Sequence, residues 1–218
     1  MKLGVSQQTS SGLTLVELLL VVVVLVVLFV MLIPSPRYGK HAALSVYCKE
    51  NLKQTGLAYR IWADDNGGKY PMELSKMNGG TLELMGTADA WQTYQVMSNE
   101  LSTPKVLFCP ADEERQMYAT NFSTDLQGKI SYFIGLDAGT NRPQTFLSGD
   151  DNFAVSGQLV KPGLINLASN APVTWTTARH HFWGDIGLSD GSVYGLHNPN
   201  LVTQFQQTGL ATNRLAIP

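Results

Sequence analysis

The chain has 218 residues, a formal net charge of −2 and 15% charged side chains. A near-neutral chain without a basic stripe lacks the electrostatic footprint of a nucleic-acid binder, so no nucleic-acid partner is expected. What remains beyond the apolar N-terminal segment is long enough for one domain of common size with a real core.

Residues 12–17 read Gly12-Leu13-Thr14-Leu15-Val16-Glu17, and an unbroken apolar run from Leu18 to Ile33 follows. Thr14 to Ile33 is twenty residues, or about 30 Å as a helix at 1.5 Å per residue, which matches a bilayer core. Glu17 is the informative residue. A carboxylate costs about 2–3 kcal/mol or more at depth in lipid, so it calls for a partner. A cleaved secretory signal would have a shorter apolar region, about 7–15 residues, and a small-residue cleavage site. Here the run ends in Ile33-Pro34-Ser35-Pro36, whose prolines should end or kink the helix. The segment before the span carries only Lys2, while Arg37 and Lys40 flank its far side. Charge alone would therefore not place the N-terminus inside.

Gly-Leu-Thr-Leu-Val-Glu resembles the type III signal of type IV pilins and type II secretion pseudopilins, usually Gly-Phe-Thr-Leu-Val/Ile-Glu. The resemblance implies a prepilin peptidase that cuts between Gly12 and Leu13 and methylates the new Leu13 amine. It implies that Glu17 pairs with the charged N-terminus of a neighbouring subunit during assembly. It places the N-terminus in the cytoplasm, the span in a bacterial inner membrane and the rest in the periplasm. The implied partners are the peptidase, other pilins or pseudopilins in a polymer, and an inner-membrane assembly platform. The expected organisation is a leader 1–12, a membrane and assembly helix 13–33, an amphipathic helix 34–68 and an exported head 69–218.

Export would let the two cysteines, Cys48 and Cys109, form a disulfide, with two buried thiols as the alternative. Neither has a second Cys or a His at the spacing of a zinc site. From about Tyr38 to Asp64 the pattern is helical, with Leu44, Cys48, Leu52, Thr55, Tyr59 and Trp62 on one face. Gly67-Gly68 and then Pro71 should stop it. The stretch from Cys48 through Asn51-Leu52-Lys53-Gln54 to Gly56-Leu57-Ala58 looks like one found in a large bacterial group of pseudopilin-like proteins. There a Cys-Pro pair, here Cys109-Pro110, often follows a short strand.

Further along, Ala88 to Leu101 reads as a short helix with Trp91, Tyr94 and Met97 on its apolar face. Strands are expected at Val106–Cys109, Ile130–Leu136, Phe153–Val160 and Val173–Thr177. Asn141 to Asn152, polar and Gly/Pro-containing, reads as an exposed loop. Phe182–Ser189, Asp190-Gly191 and Ser192–Leu196 read as a hairpin with a type I′ turn. The tail beyond Pro199 reads as polar and irregular. The fold class is α+β, a long N-terminal helix against a small antiparallel sheet, pilin-like.

Few residues point to chemistry. Gly187-Leu188-Ser189-Asp190-Gly191 matches a nucleophile elbow, but that motif needs a helix after its turn and an acid and a His later. His180 and His181 are neighbours that would point apart in a strand. Asp185 and Asp190 are weak calcium candidates, since major pseudopilins carry a calcium site in a C-terminal loop. No other metal, cofactor or catalytic residue is expected. The chain reads as a structural subunit of a type II secretion pseudopilus and not as an enzyme. The rival readings are a minor type IV pilin and a membrane-tethered exported binding or enzymatic domain.

Overall fold

The computed structural model describes residues 12, 14–32, 38–87, 89–115 and 117–218. Leu13 and residues 33–37, where the proline stop is expected, lie outside the described residues. The chain divides into two units, residues 1–39 and 40–218.

The first unit contains α1, Leu15–Leu32, which is long and apolar enough to cross a membrane. Thr14 caps it. Its backbone N–H and its hydroxyl each donate to Glu17 Oε2 at 2.8 Å, and its Oγ1 accepts from the Glu17 N–H at 3.3 Å. This is a capping box, in which residue and cap satisfy each other's free groups. No side chain of α1 is buried.

The predicted amphipathic helix is α2, Tyr38–Asp65, nearly all of it in the second unit. Its expected stripe is the buried face: Cys48, Leu52, Thr55, Tyr59 and Trp62 are all buried and Leu44 is half-buried. Gly67 and Gly68 both take left-handed φ, and the Gly68 N–H bonds to the Ala63 carbonyl at 2.8 Å, closing the helix. Short 3-10 turns follow. The next expected helix is two pieces, α3 at Gln92–Val96 and α4 at Ser98–Leu101. Tyr94 and Met97 are buried there.

Nine strands form two antiparallel sheets among the described residues. They are β1 (Tyr132–Gly135), β2 (Phe146–Asp150), β3 (Phe153–Val155), β4 (Gln158–Leu159), β5 (Gly163–Ala168), β6 (Val173–Trp175), β7 (Trp183–Leu188), β8 (Val193–His197) and β9 (Thr212–Ile217). The larger sheet runs β5-β9-β1-β2-β7-β8, and the smaller runs β4-β3-β6. The helix α5, Asn198–Gln207, precedes β9.

Both faces of the large sheet are covered, so its central strands alternate between two cores. Ile134, Leu147 and Ala216 join Ala58, Tyr59 and Trp62 of α2. Phe133, Phe146 and Leu215 face the other way, with Phe153, Trp175 and Phe205. Edge-to-face rings knit this second core, with Phe133 6.3 Å from Phe146 and 6.1 Å from Phe153.

Five expectations need correction. Phe153–Val160 is not one strand: β3 and β4 pair as a hairpin, because Ser156 and Gly157 both take left-handed φ between them. Val106–Cys109 is not a strand, because Pro104–Leu107 is a 3-10 turn. Thr103 caps it and Pro104 opens it, which fixes a helical start. The loop expected at Asn141–Asn152 holds β2, a central strand. Its glycine misleads: a Cβ on Gly149 would lie 2.7 Å from the Phe133 ring, so only glycine fits between neighbours. The tail beyond Pro199 is ordered as α5 and β9, and β9 pairs with both β5 and β1. The hairpin is present, with Gly187 opposite Val193. Its turn is not type I′, because Asp190 keeps a negative φ and only Gly191 is left-handed, at 87°. The Gly191 N–H bonds back to Leu188 and the Leu188 N–H to the Ser192 carbonyl, a turn with a glycine bulge.

Cys48 and Cys109 are disulfide-bonded across 61 residues. A loop of that length predicts about 4 kcal/mol of stabilisation by restriction of the unfolded chain. Replacing both cysteines with serine should lower the unfolding free energy by about that amount, read from urea denaturation of the full chain in detergent under non-reducing conditions.

Candidate functional site: a buried charge cluster beside the disulfide

The disulfide tethers α2 to the segment that leads into Asp112. Around it gather charges that the sequence left scattered. Asp112 follows the Cys109 turn, Asp150 ends β2 and Asp151 follows it, Arg179 and His180 sit in the turn between β6 and β7, and Asp185 lies in β7. All six are buried.

Arg179 is the hub. Its Nη2 is 2.9 Å from Asp112 Oδ2 and also pairs with Asp151 Oδ1. Its Nη1 donates to the Ser131 carbonyl at 2.7 Å and lies 3.6 Å from Asp150 Oδ1. Arg115 closes the outer side, with Nη1 2.8 Å from Asp112 and Nη2 2.5 Å from Asp151. The Ser131 hydroxyl adds a 2.7 Å bond to Asp112. Burial works to raise the Asp112 carboxyl, but Arg179, the Ser131 hydroxyl and Arg115 outweigh it and hold the group below its ordinary range. Asp112 and Asp151 are thus well compensated.

The other end differs. Asp150 Oδ2 accepts the Asp185 N–H at 2.8 Å and is 3.7 Å from His180 Nε2. The same His180 nitrogen is 3.4 Å from Cys109 Sγ. Neither carboxylate oxygen of Asp185 has a hydrogen-bond partner among the described residues. Its cationic neighbour, Lys49 Nζ, is 3.9 Å away and also lies over the Trp183 ring, 4.7 Å from the centroid. Burial pushes both the Asp150 and Asp185 carboxyls up; the Asp150 charge raises Asp185 further, whereas Arg179 and the Asp185 N–H work against the rise at Asp150. His180 is presented by an unusual turn, since the next two residues, His181 and Phe182, have φ of 50° and 66°. Left-handed backbone at two such residues costs roughly 1–3 kcal/mol each and persists only where its surroundings enforce it.

The residues expected to matter fall in four places. Gly12 is exposed and Glu17 sits in the first turn of α1. Cys48 and Cys109 meet in the disulfide. Asp185 is buried in β7, whereas the Asp190 carboxylate caps the hairpin turn by accepting from the Ser192 N–H at 2.8 Å. Groups of three potential ligand atoms within 4.8 Å occur among the described residues at Asp150, His180 and Asp185 and at Cys48, Cys109 and His180, and neither includes Asp190. The Gly187–Gly191 motif forms strand, turn and strand, not an elbow, and Ser189 Oγ is 2.9 Å from Thr145 Oγ1.

No sequence spacing joins Asp112, Asp150, Asp151, Arg179 and His180 into one group. Their one signal is the pair of charged doublets, Asp150-Asp151 and Arg179-His180, set between apolar strands in a chain with only 15% charged residues. No protein family, curated protein or solved structure shows a significant match to this chain. The cluster therefore has to be understood from its own chemistry.

Removing Asp112 should uncover the hub. Asp112→Asn leaves Arg179 short of a buried counter-charge, for which a loss of about 3–5 kcal/mol is expected. The lowered Asp112 pKa adds a pH signature. Its contribution is complete above its ordinary value of 3.8 and disappears as the pH falls through the folded value. The gap in urea midpoint between the parent chain and Asp112→Asn should hold from pH 6 to about pH 4 and narrow by pH 3.

Proposed function

We propose that this chain is a pilin-like structural subunit of a type II secretion pseudopilus. The observation that carries the reading is the Gly12–Glu17 motif set directly against α1, a helix whose side chains are all uncovered. Leu15 to Leu32 exposes apolar side chains at 46–81% of their full areas. Such a surface needs lipid, like helices or both around it. In this reading a prepilin peptidase cuts between Gly12 and Leu13 and methylates the Leu13 amine. The span then sits in the inner membrane with its N-terminus cytoplasmic and the head on the other side. The disulfide supports an oxidising compartment for the head.

The capping box bears on assembly. Both Thr14 bonds end on Glu17 Oε2, which leaves Oε1 for a second partner. Cleavage would create an ammonium at Leu13, and a neighbour's ammonium about 4 Å from the carboxylate would gain roughly 4 kcal/mol at an effective dielectric of 20. Glu17 can take that partner without giving up its cap. The function is then mechanical: apolar helices leave the bilayer, bundle with those of other subunits on an assembly platform, and Glu17 sets their axial register. A minor pilin of a type IV pilus would use the same contacts.

The same cap favours one further reading. Because Thr14 already satisfies Glu17 within the chain, α1 can also serve as a plain tether for an exported domain. The mass of the N-terminal peptide of membrane-extracted protein separates the two. A subunit begins with N-methyl-Leu13, and a tether keeps Met1 in cells with an active prepilin peptidase. Glu17→Ala should be cleaved and remain in the membrane but fail to enter sheared filaments. Filaments at the parental level would sink the assembly role of Glu17.

A further inference from the structure

We propose that Asp150, His180 and Asp185 form a binding site for a single zinc-class divalent cation beside the disulfide of the head. The ligand atoms of the three residues lie within 4.8 Å of one another, and Asp150 Oδ2 to His180 Nε2 is 3.7 Å. Around a tetrahedral zinc with bonds of about 2.0–2.1 Å, ligand atoms stand roughly 3.4 Å apart, so small side-chain rotations suffice.

Three features argue for a cation rather than a merely crowded core. The Asp185 side chain is fully buried, yet neither of its oxygens has a hydrogen-bond partner among the described residues. A carboxylate in that state is costly unless something compensates it. The arginines do not do so: Arg115 and Arg179 bind Asp112 and Asp151 closely, and Arg179 reaches Asp150 only at 3.6 Å. Four carboxylates thus face Arg115, Arg179 and Lys49, with the uncompensated charge concentrated at Asp150 and Asp185. Finally, the turn that aims His180 inward holds two consecutive non-glycine residues at left-handed φ.

The donor set selects the class of ion. One imidazole and two carboxylates suit zinc, whereas calcium prefers six to eight oxygens. Lys49 is the near side of the site. It is partly exposed and already rests on Trp183, so it can withdraw as an ion enters. The cysteines are tied to each other and supply no thiolate. This site is independent of whether the chain builds a filament.

The test uses the full chain in detergent, stripped with a chelator and dialysed against zinc chloride. One zinc per chain and a raised Tm are expected. Asp185→Asn should bind at least about 100-fold more weakly, since even outer-shell changes cost 10–100-fold. Asp190→Asn, in the hairpin turn outside the site, should bind as the parent does. Cobalt(II) reads the ligands without any substitution: visible d–d bands without a strong thiolate charge-transfer band are expected. No zinc uptake by the folded parent, undiminished uptake by Asp185→Asn, calcium bound in preference to zinc, or a thiolate band that shows the disulfide opened would each overturn the proposal.

Discussion

The head depends on Arg179. One guanidinium, almost wholly buried, holds Asp112, Asp151 and the Ser131 carbonyl, which belong to three separate stretches of chain. Together with the disulfide to α2, it binds the long helix, the irregular segment before β1, the end of β2 and the turn into β7 at one point. Buried ion pairs gain little over well-packed apolar groups, because desolvation consumes most of the attraction. What they impose is geometry. An arginine with this many acceptors accepts few alternative arrangements. The network therefore reads as a device that selects one packing of segments with little regular structure of their own.

The two units rest on opposite principles. The head turns its apolar side chains into two cores on either side of one sheet. The N-terminal helix turns all of its apolar side chains outward. Water cannot be the intended surroundings of that helix. Its single carboxylate is handled locally by Thr14, which shows how one polar group can be tolerated at the start of an apolar span without a charged partner.

Periodic and punctuated elements were legible in the sequence. The α2 stripe was readable because Leu44, Cys48, Leu52, Thr55, Tyr59 and Trp62 repeat at helical spacing and Gly67-Gly68 stop it. The β7–β8 hairpin was readable because Asp190-Gly191 lies between β-prone runs, although the turn type was decided by the backbone sign at Asp190. The strands β2 and β9 were not, since Ser148-Gly149-Asp150 and Thr212-Asn213-Arg214 look like loop. Their polar residues are used by tertiary partners: Ser148 Oγ donates to the Phe133 carbonyl and Asp137 takes the Arg214 guanidinium. The charge cluster was illegible for the same reason. Its members come from residues 112 to 185 and acquire meaning only when the strands bring them together.

The position of β9 governs how the head can come into being. It is the last strand in the chain, yet it lies between β5 and β1 in the large sheet. Until it arrives, β5 has no place in that sheet and β1 has one bare edge. A chain emerging through a membrane from its N-terminus would hold an incomplete sheet until nearly all of it had crossed. Pairings so distant in sequence form slowly, and unpaired strand edges invite association with other chains. In the proposed export the head would need protection during that passage, with its apolar anchor already in place and its sheet still open.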